Sequence, residues 1–444
     1  MAHKAMTQDE KYREMTEEPV KSLVIRLAVP TIISMLVSSF YNMADTFFVG
    51  KINTQATAAV GVVFSMMAII QALGFLFGQG SGNYISRKLG AHETEEAEKM
   101  ATCAFAYAFL CGVAVMILGL VFLEPLARGL GSTKTILPYA KTYLSTILIG
   151  APYMTASLVL NNQLRFQGNA FYAMIGIVSG AVINIGLDPV FIFGLHMGIG
   201  GAALATIISQ FVSFCLLLLG TTKGGSIRLR PANLEFRWHW LKEILKGGLP
   251  SLFRQGIASV ATIFLNQCAG NYGDAAIAGM SIVSRITMFA NSALIGFGQG
   301  FQPVCGFNYG AKKYVRVQEA FFFCVKYAFA FLLVVAAIGY CFAPQLVELF
   351  RKGDADVIAV GSVALRMQCL TFSLNAWIVM CNMMLQSAGR GLPASILALA
   401  RQGLFFLPIL WVLSSGMGLH GIQITQPIAD VCTFLLSIPM GILV

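Results

Sequence analysis

Residues 183–193 read INIGLDPVFIF, ten uncharged side chains around one carboxylate, Asp188. Asn184 lies four residues earlier, so the two share a helical face. The same spacing sets Tyr41 four residues before Asp45 in YNMAD. A carboxylate, an amide oxygen and a hydroxyl form a hard oxygen set that suits a small alkali cation. The same pocket can equally take up a proton. An Asn or Thr among apolar residues also serves as a helix–helix hydrogen bond, but a charge deep in hydrocarbon is costly and marks function unless a partner neutralises it.

The elements that must position these groups are apolar. Of 444 residues, 57% are hydrophobic and 11% are charged, far from the roughly 25% charge of a soluble globular chain. Twelve runs of about 20 apolar residues are expected near 24–48, 54–82, 100–123, 140–163, 171–194, 200–221, 247–271, 275–304, 319–343, 359–386, 393–415 and 419–442. This is an all-α integral membrane protein. The net charge of +10 sits in short segments between the runs, such as RKLGAHETEEAEK and AKKYVR. It reports membrane topology rather than nucleic-acid binding, and places both termini on the inner side.

The lead-in, residues 1–22, mixes both charge signs and lacks the apolar core of a signal peptide. No basic tail follows span twelve before Val444, so a trimmed C-terminus is expected. The ten cysteines fall in or beside apolar runs without CxxC or metal-ligand spacing and read as small hydrophobes.

The chain repeats itself. FGQGSGNYISRKLGA from Phe77 returns as FGQGFQPVCGFNYGA from Phe297, an offset of 220 residues shared by Pro30 and Pro250, by Met197-Gly198 and Met417-Gly418, and by Gly201 and Gly421. Six spans per half give parallel repeats related by an axis along the membrane normal. The expected units are a six-helix bundle at 23–222, a linker at 223–246 and a second bundle at 247–444. Within the linker, LEFRWHWLKEILK has the spacing of an amphipathic surface helix, and a plain connector fits as well.

With loops set aside, the intramembrane acids are Asp45, Asp188 and Asp430, and the bases are Arg254, Arg285, Arg366 and Arg401. Asp430 has Arg401 or Arg254 in its own half as a neutralising partner; Asp45 and Asp188, at similar depth in spans one and five, have no comparable base in theirs. Thr206 in span six and Tyr143 in span four reach the same level. Pro189 removes one helix hydrogen bond beside Asp188 and frees a carbonyl oxygen.

YNMADTFFVG, NIGLDPVFIFG, the GQG…LGA repeat and two six-span halves together resemble the multidrug and toxic compound extrusion (MATE) family, in its DinF-like bacterial branch, over residues 20–444. The resemblance implies a monomeric plasma-membrane antiporter that exports small amphipathic, often cationic compounds in exchange for Na⁺ or H⁺. Its two bundles would rock about a central cavity, with no cofactor beyond the coupling ion. By the same resemblance Asp45, Asn184, Asp188 and Thr206 hold the ion, Tyr41, Tyr143 and Asn161 border the substrate chamber, and span one bends at Pro30. A lipid-linked glycan flippase of the same superfamily would need a cationic cavity, for which the second-half arginines are available. An intramembrane enzyme lacks support: there is no HExxH or paired GxGD, and His3, His92, His196, His239 and His420 all lie in or near loops. A channel would need filter-like repeats that are absent.

Overall fold

The computed structural model describes residues 6–223 and 226–442, and among these every regular element is helical. Gly224 and Gly225 of the expected linker, the first five residues with His3, and Leu443 and Val444 lie outside the described residues. Among the described residues, eleven helices are long and apolar enough to cross a bilayer. The first half holds Val20–Gly50, Thr54–Gly90, Thr94–Val121, Leu137–Phe166, Ala170–Gly194 and Gly198–Lys223, spans one to six. The second holds Asp274–Gly310, Tyr314–Cys341, Ala355–Ser387, Gly391–Met417 and Leu419–Ile442, spans eight to twelve. Trp238–Gly270 occupies the place of span seven. It is long enough at 33 residues, but Arg254, Gln255 and Asn266 dilute its apolar run.

Two expectations are corrected here. Trp238 to Lys246 forms no separate surface helix: these residues are the first turns of span seven itself, and the linker before them is extended apart from a single 3-10 turn at Pro231–Asn233. Spans two and eight do not stop near 82 and 304 but continue as 37-residue helices to Gly90 and Gly310. At 1.5 Å per residue each is about 55 Å long, well beyond the roughly 30 Å of hydrocarbon. The polar residues of the repeated motif therefore sit on helix that projects from the membrane. A helix of ten residues, Gln8–Glu17, precedes span one at that same end, here called the proximal face.

Glycine in the motif is a packing requirement. A Cβ on Gly90 would collide with the carbonyl oxygen of Phe307, and one on Gly310 with that of Arg87. Those two contacts are the same contact seen twice, because 87 and 90 become 307 and 310 at the repeat offset. Gly306 meets the hydroxyl of Ser86, its own equivalent position, so the pseudo-twofold axis passes between them. Gly80 abuts Ile244 in span seven, and Gly300 abuts Ala28 in span one. The two halves are thus pressed together along the proximal parts of spans one, two, seven and eight.

The repeat extends to backbone conformation. His92 and Lys312 share positive φ of 61° and 60°, as do Gly198 and Gly418 at 59° and 64°. The short distal helices Leu123–Gly129 and Ala343–Phe350 begin 220 residues apart. Gly168 and Gly389 also match in φ, at 82° and 79°, but are 221 apart. The interval in which the register slips by one contains the 3-10 interruption of span ten at Phe372–Leu374.

Candidate functional site

Span one brings Tyr41 and Asp45, span four Tyr143 and Asn161, span five Asn184 and Asp188, and span six Thr206. Asn184, Asp188, Thr206 and Tyr143 are wholly buried, and Asp45 is 9% exposed. The α-helix of span five ends at Pro189, and the chain continues as a π-turn over Val190–Gly194. The proline lacks the N–H that would close the preceding turn, and the wider turn takes up the mismatch. Span eleven carries its own π-turn at Ala400–Leu404, and Arg401 lies within it.

The Asn184 amide is oriented by its neighbours. With its nitrogen toward the carboxylate, Nδ2 donates to Asp188 Oδ2 at 3.1 Å and Oδ1 accepts from the Thr206 backbone N–H at 3.3 Å. The reverse orientation would set two oxygens face to face. The Thr206 hydroxyl donates to the Ala202 carbonyl at 3.0 Å. Tyr143 lies alongside Asp45 and Thr206. Tyr41 lies among Asp45, Asp188 and Gln210. Asp45 Oδ1, Asp188 Oδ1 and the Tyr143 hydroxyl are buried with no partner in hydrogen-bond geometry. Buried polar atoms are ordinarily paired, so these three oxygens keep lone pairs that a proton or small cation could take up. Two carboxylates with neutral oxygens are too few for a transition-metal site, and no cluster of three His, Cys, Asp or Glu occurs among the described residues.

A cavity opens beside this cluster within the first half, with Ser38, Tyr41, Asn42, Asn161, Asn184 and Gln210 on its polar wall and Ile70, Met154 and Ile177 on its apolar wall. Tyr41 and Asn184 therefore face both the cavity and the carboxylates. Tyr143, expected at the chamber, is fully buried beside Asp45 and is not among the residues lining this cavity. Asn161 does line it, with Nδ2 donating to the Ala173 carbonyl at 2.9 Å. Pro30 lies within the helix of span one, which continues on both sides of it.

The second half treats its charges differently. Asp430 Oδ1 accepts from Arg401 Nε at 2.8 Å and from Gln426 Nε2 at 2.9 Å. Arg254 donates to Asn382 Oδ1 at 3.3 Å, Arg366 to the Tyr340 carbonyl at 3.2 Å, and Arg285 is exposed. The first half does contain a buried base: Arg165, 2% exposed, donates to Asn162 Oδ1 and lies 5.0 Å from the Phe166 ring. It sits just past the expected end of span four, where a basic residue reads as loop. It makes no ion pair with Asp45 or Asp188. Gln210 was also missed, although it lies one helical turn from Thr206 and the spacing alone would have placed it.

Comparison with known proteins agrees with this architecture. The MatE family pattern matches twice, over residues 30–190 and 250–412, and the two matches start 220 residues apart. The chain is 27% identical over 430 residues to the multidrug export protein MepA of Staphylococcus haemolyticus, covering 96% of this chain and 94% of that one. It superposes with a TM-score of 0.92, at 28% identity and over 99% of this chain and 98% of the other, on an outward-facing multidrug resistance MATE family transporter of the MOP superfamily. A MOP superfamily transporter from Pyrococcus furiosus, whose reversed binding-pocket polarity suggests a different function, superposes with the same score, identity and coverage. Two matches that together span most of the chain, on a helical membrane fold shared almost end to end with solved transporters, establish that the chain belongs to the MatE family of bacterial multi-pass membrane transporters.

Proposed function

We propose that the protein is an antiporter that exports small amphipathic, often cationic compounds in exchange for Na⁺ or H⁺. The proximal face is cytoplasmic, as its basic loops require, and the conformation is then outward-facing. The observation that carries the reading is the shared wall: Tyr41 and Asn184 border both the cavity and the Asp45–Asp188 pair. A cation or proton on the carboxylates changes the charge behind that wall and the hydrogen bond Asn184 can make. Substrate in the cavity and ion on the acids therefore favour different arrangements of spans one and five. Such differential affinity couples two ligands, whereas equal affinity for both states shifts nothing.

The test is uptake of a fluorescent cation into inverted vesicles, with a Na⁺ gradient and a pH gradient imposed in turn. Movement driven by one gradient and collapsed by dissipating it supports exchange; equal movement without either would overturn it. Flipping of a lipid-linked anionic glycan is the second reading. It is favoured by buried Arg165 and half-buried Arg254, two guanidiniums from opposite halves that lie near each other and hydrogen-bond to asparagine rather than to an acid.

A further inference from the structure

The helix Gln8–Glu17 closes its own beginning but not its own end. Thr7 and Glu10 form a complete capping box, which satisfies two of the free N–H groups. At the other end Pro19 stops the helix, and the last carbonyls need donors from elsewhere. They come from the opposite half of the protein. Asn308 Nδ2 donates to the Met15 carbonyl at 3.0 Å, Lys313 Nζ to that of Thr16 at 3.2 Å, and Arg316 Nη2 to that of Glu18 at 2.6 Å. Arg316 Nε also holds Asn308 Oδ1 at 2.9 Å, which fixes the donors relative to one another. Two cations at a helix C-terminus meet its partial negative charge as well.

The other side of the helix is held by the first half. Lys11 Nζ donates to the Gly168 carbonyl at 2.9 Å, the Tyr12 ring lies 3.9 Å from that of His92, and Met15 is fully buried. One short helix therefore grips the loops of both halves across the pseudo-twofold axis, at the face where spans two and eight meet.

Its counterpart in the repeat is the extended linker before span seven, and that segment also docks on the opposite half. Gln167 Oε1 accepts from the backbone of Ser226 and Ile227 at 2.8 and 3.2 Å, and Thr102 Oγ1 accepts from the Arg230 N–H at 3.3 Å. The loop sequences differ to match. HETEEAEK in the first half meets the linker through Glu98, whose Oε1 accepts from the Arg228 N–H at 3.4 Å, whereas AKKYVR in the second offers Lys313 and Arg316 to the helix carbonyls and sets Arg316 near Glu17. At equivalent places in the repeat the two halves thus make crossed contacts of different chemistry.

We propose that Gln8–Glu17 is a state-selective clasp: it is fully capped only while the two halves are closed on the cytoplasmic side, and the transport cycle must uncap it. Opening that side draws Asn308, Lys313 and Arg316 away from carbonyls that have no donors of their own, so capping is worth more in the outward-facing state. The cytoplasmic assignment rests on the proposed function; the clasp itself rests on the contacts.

The test measures the distance between spin labels at Glu95 and Val315, exposed and repeat-related positions on the two cytoplasmic loops, in the full-length protein in vesicles. Removing both cations with Lys313→Ala and Arg316→Ala is expected to raise the open, long-distance population about tenfold, the effect of losing charge-assisted hydrogen bonds. Lys313→Arg with Arg316 kept retains both cations and the Arg316–Asn308 bridge and is expected to leave the closed distribution in place. A distance distribution unchanged by the alanine pair, in protein that melts as the parent does, overturns the clasp; so does opening of the same size in the Lys313→Arg variant. The readout needs neither substrate nor ion, and reduction of the Glu95 label by an impermeant reagent in inverted vesicles only checks sidedness separately.

Discussion

Asp188→Asn keeps the size of the side chain and takes away its ionisable group. Coupled efflux is expected to fall to the level of empty vesicles with expression intact, and wild-type efflux from the variant would remove Asp188 from the site. Asp45 and Asp188 stand in one cluster with Tyr143 and Asn184, so they are expected to act as one titrating unit in which neither acid has a private value. In a double-mutant cycle with Asp45→Asn and Asp188→Asn, removing both acids should cost little more than removing one. Asp45→Asn, which leaves Asp188 in place to titrate, should also shift the pH or Na⁺ dependence of whatever efflux it retains between pH 5.5 and 8.5. Strictly additive losses with unchanged profiles would mean two independent sites. These acids were visible in the sequence because a lone carboxylate in an apolar run has no bland explanation. Arg165 was not, because two residues past the end of an apolar run the sequence carries no sign of whether the chain has left the protein interior.

Among the elements, span twelve and the π-turn of span eleven are joined by Arg401 and Asp430. Asp430→Asn leaves Arg401 without its anion and is expected to lower stability by on the order of 3 kcal/mol, read as a lower melting midpoint in detergent, while transport per folded molecule stays near the parent's. Replacing the pair together, with Arg401→Met and Asp430→Leu, is expected to recover most of that loss. Transport lost at unchanged stability would give the second half a coupling role instead. The positions of all twelve long helices were legible as apolar runs. The proximal ends of spans two and eight were not, because Asn83 and Ser86 look like loop chemistry until a second helix is present to bury them. The linker helix misled for a related reason: LEFRWHWLKEILK has the same periodicity whether its apolar side meets lipid or, as here, lets Trp240 and Ile244 pack against span two.

For the whole molecule, closure depends on backbones touching where the halves cross. Gly90→Val and Gly310→Val each place methyl groups where a carbonyl of the other half lies, so both are expected to populate the inward-open form, and to similar extents because the contacts are repeat-related. The Glu95–Val315 label distance measures this; an effect from one substitution and none from its equivalent would show that the crossing is not symmetric in energy. The repeat itself was legible from the glycines, but their purpose needed the partner helix.

The meeting of Ser86 with Gly306 carries a different implication. A two-chain assembly of identical half-length units would bring one position against its own copy on the axis, and no residue larger than glycine would fit twice. Joining the halves in a single gene lifts that restriction, because one copy can stay glycine while the other gains a hydroxyl. Exchanging the two, with Ser86→Gly and Gly306→Ser, is then expected to be tolerated, whereas Gly306→Ser alone sets hydroxyl against hydroxyl. The seam between the halves thus records how far two once-equal sequences have been free to become different.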